Sequence, residues 1–182
     1  MKYFFGFIFC LVLAFTAFGQ QKVGTQAESF NGTTLQGKDF ILDDFRGKVV
    51  VMTFWSTKCA ICHEEIPKLN KLVDKFSGKE VVFMGLTMEN EDRITPYLQK
   101  RPFNFTIIPN SLGAMLKYAD RDNQGNPNMG FPAYFIISPN GDLQYKSSGW
   151  DKINKIDSEV TRLLPLAGQN KSAEANTTAK AN

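Results

Sequence analysis

The sequence predicts an α/β domain, a central mixed β-sheet flanked by helices and led by an N-terminal β-hairpin extension. Three observations predict it. Apolar, largely β-branched runs such as Val49-Val50-Val51-Met52-Thr53-Phe54 and Val81-Val82-Phe83-Met84-Gly85-Leu86 have the length and content of buried strands. Between such runs lie stretches whose apolar residues recur at helical spacing. The pattern closes on two strands joined by Pro139-Asn140-Gly141-Asp142, a strong hairpin turn.

The elements follow in order. Lys2 and the apolar run Tyr3 to Phe18, ending on Ala17-Phe18-Gly19, read as an export signal over residues 1–19. The run is short for a spanning helix, so an uncleaved anchor is the minority reading. Residues 20–25 read as a linker, and residues 26–167 as one domain. In residues 26–47, Gly32, Gly37 and Gly47 punctuate short strands and turns. Residues 48–55 are a buried strand. Residues 60–76 are a helix, with Ile61, Ile66, Leu69, Leu72, Val73 and Phe76 near helical spacing and Gly78 beyond it. After the strand at 81–86, residues 90–100 are a polar helix. Phe103 to Ile108 is a strand. Ser111 caps a short helix ending at Ala119. Asp120 to Met129 is turn-rich and polar, and is expected as a loop. Ala133 to Ile137 and Leu143 to Ser147 form the closing hairpin. Asp151 to Leu164 is an amphipathic helix. Residues 168–182 are rich in Ala, Asn, Thr, Lys and Gln, and are expected as a disordered tail.

Composition excludes several functions. The net charge is +3, with lysines scattered among acids and no basic stripe. Nucleic-acid binding has no support. A single histidine argues against a histidine-rich metal site.

The chemistry centres on Cys59-Ala60-Ile61-Cys62, which follows a strand and opens a helix. The first sulfur then sits at the positive end of the helix dipole, beside unpaired backbone N–H groups. Such a position stabilises a thiolate. The second sulfur can close a small disulfide ring with the first. A closed zinc site needs four ligands, and Cys59, Cys62, His63 and Cys10 are poor candidates because Cys10 lies in the signal. A purely structural bridge over so short a loop constrains the unfolded chain little. Thiol–disulfide exchange is therefore the leading reading, with the Cys59–Cys62 couple as the redox centre and no further cofactor or metal. Outside the cytosol an exposed pair of this kind is oxidised unless something reduces it, which implies a redox partner.

The chain resembles the thioredoxin superfamily, and within it the exported TlpA/ResA-like thiol–disulfide oxidoreductases. The resemblance covers residues 26–165. It rests on Phe45-Arg46-Gly47-Lys48 leading into the first central strand and on Phe54-Trp55 before the cysteines. Pro67 lies five residues after Cys62, and Phe131-Pro132 lies before a buried strand. The resemblance implies a thioredoxin-like fold and a cis Phe131–Pro132 bond against the disulfide. It also implies a glutamate three residues after the second cysteine, here Glu65. Thr53 stands where many thioredoxins have an acid, Lys58 replaces the usual tryptophan, and the dipeptide lacks the common proline.

The candidate roles follow. Cys59 is the nucleophile and Cys62 the resolving thiol. Glu65 shares a helix face with Cys62 and is the candidate proton carrier; the resemblance tips the choice against a solvated helix acid. Trp55, Phe131 and Pro132 are candidate substrate contacts. Lys58 and His63 are candidate modulators of the Cys59 thiol. The implied substrates are protein disulfides or dithiols, with electrons from a membrane thiol donor, at an extracytoplasmic, periplasmic location. Membrane contact is expected only if the N-terminal segment is retained. Thiol peroxidase is one alternative: Ser56 fits its motif, but Met52 stands in the proline's place. Copper delivery is another, weakened by the lack of any histidine beyond His63.

Overall fold

The computed structural model describes residues 21–167. The expected signal (1–19) and tail (168–182) lie outside the described residues. The strands are β1 (Asn31–Thr33), β2 (Asp39–Ile41), β3 (Val49–Phe54), β4 (Val81–Leu86), β5 (Thr106–Ile108), β6 (Asp120–Arg121), β7 (Pro127–Asn128), β8 (Ala133–Ile137) and β9 (Leu143–Ser148). The helices are α1 (Ala60–Lys75), α2 (Glu91–Lys100), α3 (Leu112–Tyr118) and α4 (Ile153–Leu163).

The central sheet runs β5-β4-β3-β8-β9. β3 pairs parallel with β4 and antiparallel with β8, so the sheet is mixed. β3 lies in the middle, and each of its residues is buried. Alternation along a strand sends successive side chains to opposite faces. Val50, Met52 and Phe54 pack with Phe30, Phe40, Ala114 and Tyr118, under the N-terminal hairpin and α3. Val49 and Val51 pack with Leu69, Leu72, Ile156 and Val160, under α1 and α4. β1 and β2 form the expected N-terminal hairpin, Gly32 opposite Phe40.

Several expectations change. The stretch 120–129 is a β-hairpin of β6 and β7, not a loop. The Asp122 carboxylate accepts the N–H groups of Gln124 and Asn126 at 2.8 Å each. Gly125 takes the left-handed conformation that the turn needs (φ 82°). Polar turn residues thus build the hairpin themselves, with no apolar alternation to announce it. The strand expected from Phe103 begins only at Thr106, and Phe103 instead packs its ring on Trp55. The domain's hydrogen bonding also begins inside the expected linker: Gly24 N–H donates to the Leu143 carbonyl at 2.7 Å, and Leu143 N–H to the Thr25 carbonyl at 2.9 Å.

Ser111 precedes α3 as expected but makes no side-chain cap. Its hydroxyl donates to the Ile108 carbonyl at 2.9 Å.

Candidate active site

β3 delivers the chain to the start of α1 and positions the cysteines there. Cys59 is the N-cap of α1, with extended backbone (φ −87°, ψ 104°). Its Sγ accepts the backbone N–H of Cys62 at 3.1 Å. The sulfur therefore occupies the place of an N-cap oxygen, where the orphan N–H groups and the dipole favour negative charge. The two sulfurs form a disulfide, with Cα atoms 5.2 Å apart. Cys59 is half-buried, whereas Cys62 is fully buried. The pair thus has an approachable and a shielded sulfur.

The turn before Cys59 is clamped by Glu89, which lies between β4 and α2. Its carboxylate accepts the Thr57 N–H at 2.7 Å and the Thr57 hydroxyl at 2.6 Å. Arg93 Nε lies 3.2 Å from the same carboxylate. Burial acts to raise the Glu89 pKa, but the Thr57 and Thr87 hydrogen bonds and the Arg93 charge hold it below the usual carboxylate range. Sequence analysis missed this residue. Its acid stands some thirty positions from the turn it holds, and only the β3–β4 pairing brings the two together.

Behind Cys62 lies an apolar cluster of Trp55, Ile66, Ile94 and Ile107, with Cys59, Tyr97, Phe103 and Phe131 packed against it. Trp55 was expected to meet substrate, but it is fully buried. Its ring sits 4.5 Å from that of Phe103 and 5.4 Å from that of Tyr97. As the residue that follows β3, it packs against Cys62 and Ile66 of α1 and Ile94 of α2, and so supports the site from behind. Gly85, opposite Thr53 on β4, leaves room for this packing: a Cβ there would lie 2.9 Å from the side chains of Ile107 and Phe105.

Glu65 is fully buried on α1, three residues after Cys62. One carboxylate oxygen accepts the Lys68 ammonium at 2.7 Å. The other is buried without a hydrogen-bond partner. An orphaned oxygen on a buried acid can take up a proton or receive one from a neighbour. Tyr134, on β8, has its pKa pushed up by burial, and the Glu65 charge adds to that. Thr53 is buried too, and its hydroxyl also lacks a partner. Glu64, by contrast, is exposed.

The Phe131–Pro132 peptide bond is cis. Pro132 is buried, and Phe131 is half-buried on the cluster that holds the cysteines. Lys58 is exposed. His63 lies one turn along α1 from Cys59, and its Nε2 sits 3.0 Å from the Thr57 carbonyl. A carbonyl only accepts, so Nε2 carries the proton of that bond. The ring also packs 5.3 Å from Tyr97. His63 therefore braces α1 against the turn that carries Cys59. No group of three or more metal-ligating side chains occurs among the described residues.

Fold and site together define a thioredoxin-fold thiol–disulfide oxidoreductase. The chain belongs to the AhpC/TSA family, whose model matches residues 23–146. It is 25% identical over 152 residues to a thiol-disulfide oxidoreductase ResA of Bacillus thuringiensis subsp. konkukian, covering 83% of this chain and 84% of that one. It is 28% identical over 124 residues to the thioredoxin-like protein YneN of Bacillus subtilis, covering 66% and 68%. Among solved structures, a putative protein disulfide isomerase from Bacteroides thetaiotaomicron superposes with a TM-score of 0.68 at 18% identity, over 80% of this chain and 91% of that one.

Proposed function

We propose that the protein is an exported reductase of protein disulfides. The observation that carries the roles is the asymmetry of the pair: Cys59 is half-buried at the helix start, and Cys62 is sealed behind it. In the reduced protein the Cys59 thiolate attacks a partner disulfide. A Cys59–partner bond forms, the partner's S–S bond breaks, and a partner thiolate leaves. Glu65 then takes the Cys62 thiol proton. The Cys62 thiolate attacks Cys59 Sγ, the Cys59–Cys62 bond forms, and the second partner thiolate leaves. Two electrons have passed to the partner. Phe131 and cis-Pro132 form the groove for the partner chain. A membrane thiol donor returns the electrons, and no cofactor beyond the dithiol is needed. Similarity to proteins named thiol-disulfide oxidoreductase supports thiol–disulfide exchange as the reaction. The sequence of residues 1–19 supports export. No helix among the described residues is long and apolar enough to cross a membrane.

The test is dithiothreitol-driven reduction of insulin. Wild type should accelerate it, and Cys59→Ser should abolish the acceleration. Peroxide consumption without insulin reduction would move the assignment to a thiol peroxidase. Against that alternative, the peroxidase motif's proline position is Met52, fully buried inside β3. Tight copper binding by the reduced protein that is lost in a His63 variant would point to copper delivery instead.

A further inference from the structure

The buried Glu65 does not stand alone. Its ammonium partner, Lys68, lies one turn along α1, with a side chain 45% exposed. The Lys68 Nζ also sits 5.0 Å from the ring centroid of Trp150, within cation–π range. Trp150 is 51% exposed, an unusual position for a large aromatic. It lies on the turn after β9, where Gly149 and Asp151 both take left-handed conformations (φ 82° and 57°). Gly149 N–H donates to the carbonyl of cis-Pro132 at 2.8 Å. One continuous path therefore joins the substrate groove at Pro132, the Trp150 turn, the Lys68 ammonium and the buried Glu65 carboxylate.

We propose that Lys68, held between Trp150 and Glu65, is a positioning residue that fixes the buried Glu65 carboxylate in place for removing the Cys62 proton. This rests on the reading of Glu65 as the base of the resolving step. The physical argument is desolvation. A carboxylate sealed from water is destabilised unless a cation faces it. Lys68 supplies that cation from the solvent side. The Trp150 ring restrains the flexible lysine stem, so less rotamer freedom remains to oppose the pair. The pair also raises the Lys68 pKa, first through the Glu65 hydrogen bond. Glu64 on α1 and Asp151 on the turn act on Lys68, and Tyr134 on β8 feels Glu65. Lys68 Nζ, 2.7 Å from Oε1, is the cation that Glu65 pairs with.

The experiment follows the resolving step itself. A mixed disulfide of Cys59 with glutathione is formed, and its Cys62-dependent release is timed from acid to mildly alkaline pH. Lys68→Met should slow release near neutrality several-fold and change its pH profile. Without the cation, the buried carboxylate loses the partner that holds one of its oxygens at 2.7 Å. Lys68→Arg should restore the wild-type profile, because it returns the cation. Adding Lys68→Met to Glu65→Gln should change nothing further. If Lys68→Met keeps the wild-type profile while Glu65→Gln alters it, the Lys68 assignment is overturned and the Glu65 reading stands. If Glu65→Gln itself keeps the wild-type profile, the base reading falls, and this inference falls with it.

Discussion

The backbone N–H of Cys62 donates to the Sγ of Cys59 across 3.1 Å. One residue of the redox pair therefore solvates the sulfur of the other, and it does so from the first turn of α1. A reduced Cys59 inherits this environment of orphan N–H groups and helix dipole, which favours the thiolate. Glu89 and the aromatic cluster flank this arrangement, and each of them, like Glu65, can be altered separately.

Glu65→Gln should preserve the fold, because the side chain keeps its shape. If Glu65 acts as the proposed base, the variant should flatten the pH dependence of disulfide exchange. Glu64→Gln should leave the profile as in wild type, because Glu64 is exposed. Insulin-reduction rate against pH for both variants is the measurement. Equal profiles for wild type and Glu65→Gln would reduce Glu65 to a structural acid.

Glu89→Ala removes the acceptor of two Thr57 hydrogen bonds and should destabilise the fold by about 1–3 kcal/mol. Exchange should also slow, because the turn that carries Cys59 loses its clamp. The folded-state pKa of Glu89 lies below its ordinary 4.5. Its contribution is therefore complete above that value and is lost as pH falls through the lower, folded-state one. Urea unfolding of wild type and Glu89→Ala should thus differ at neutral pH and converge in strong acid. A constant difference at all pH values would contradict the clamp.

Gly85→Ala should destabilise by about 1–3 kcal/mol through overpacking. Its Cβ would press on Ile107 and Phe105 at 2.9 Å and reach 3.2 Å from Trp55 Nε1. Thermal melts compare it with Gly113→Ala, where a Cβ meets nothing within 4 Å. Equal melting temperatures for the two would show that the cluster behind Cys62 yields easily.

Trp55→Ala should cost about 3–5 kcal/mol, as for a large core aromatic, since its ring is fully buried. Chemical denaturation measures this. A loss of substrate affinity with stability unchanged would return Trp55 to the substrate surface.

The parts of this site that are local in sequence were legible there. The strand Val49–Phe54, the helix from Ala60 and the spacing of Cys59, Cys62 and Glu65 all follow from short-range patterns. What sequence left open depends on the sheet. The Glu89–Thr57 clamp spans from the end of β4 to the end of β3. Trp55 looked available because an aromatic beside a redox motif fits either surface or core, and only packing against α1 and α2 decides between them. The β6–β7 hairpin gave no apolar alternation, since Asp122 and Gly125 build it from polar turn chemistry. The Lys68–Trp150 contact joins the middle of α1 to the turn after β9, which no local pattern links.

The division of labour between the two cysteines is the centre of this account, and thiol labelling tests it most directly. The fully reduced protein is exposed to a limiting amount of iodoacetamide near neutral pH, and the modified cysteine is mapped by peptide mass. The account predicts that Cys59 is alkylated first and Cys62 only after unfolding. Preferential labelling of Cys62 in the native protein would contradict it.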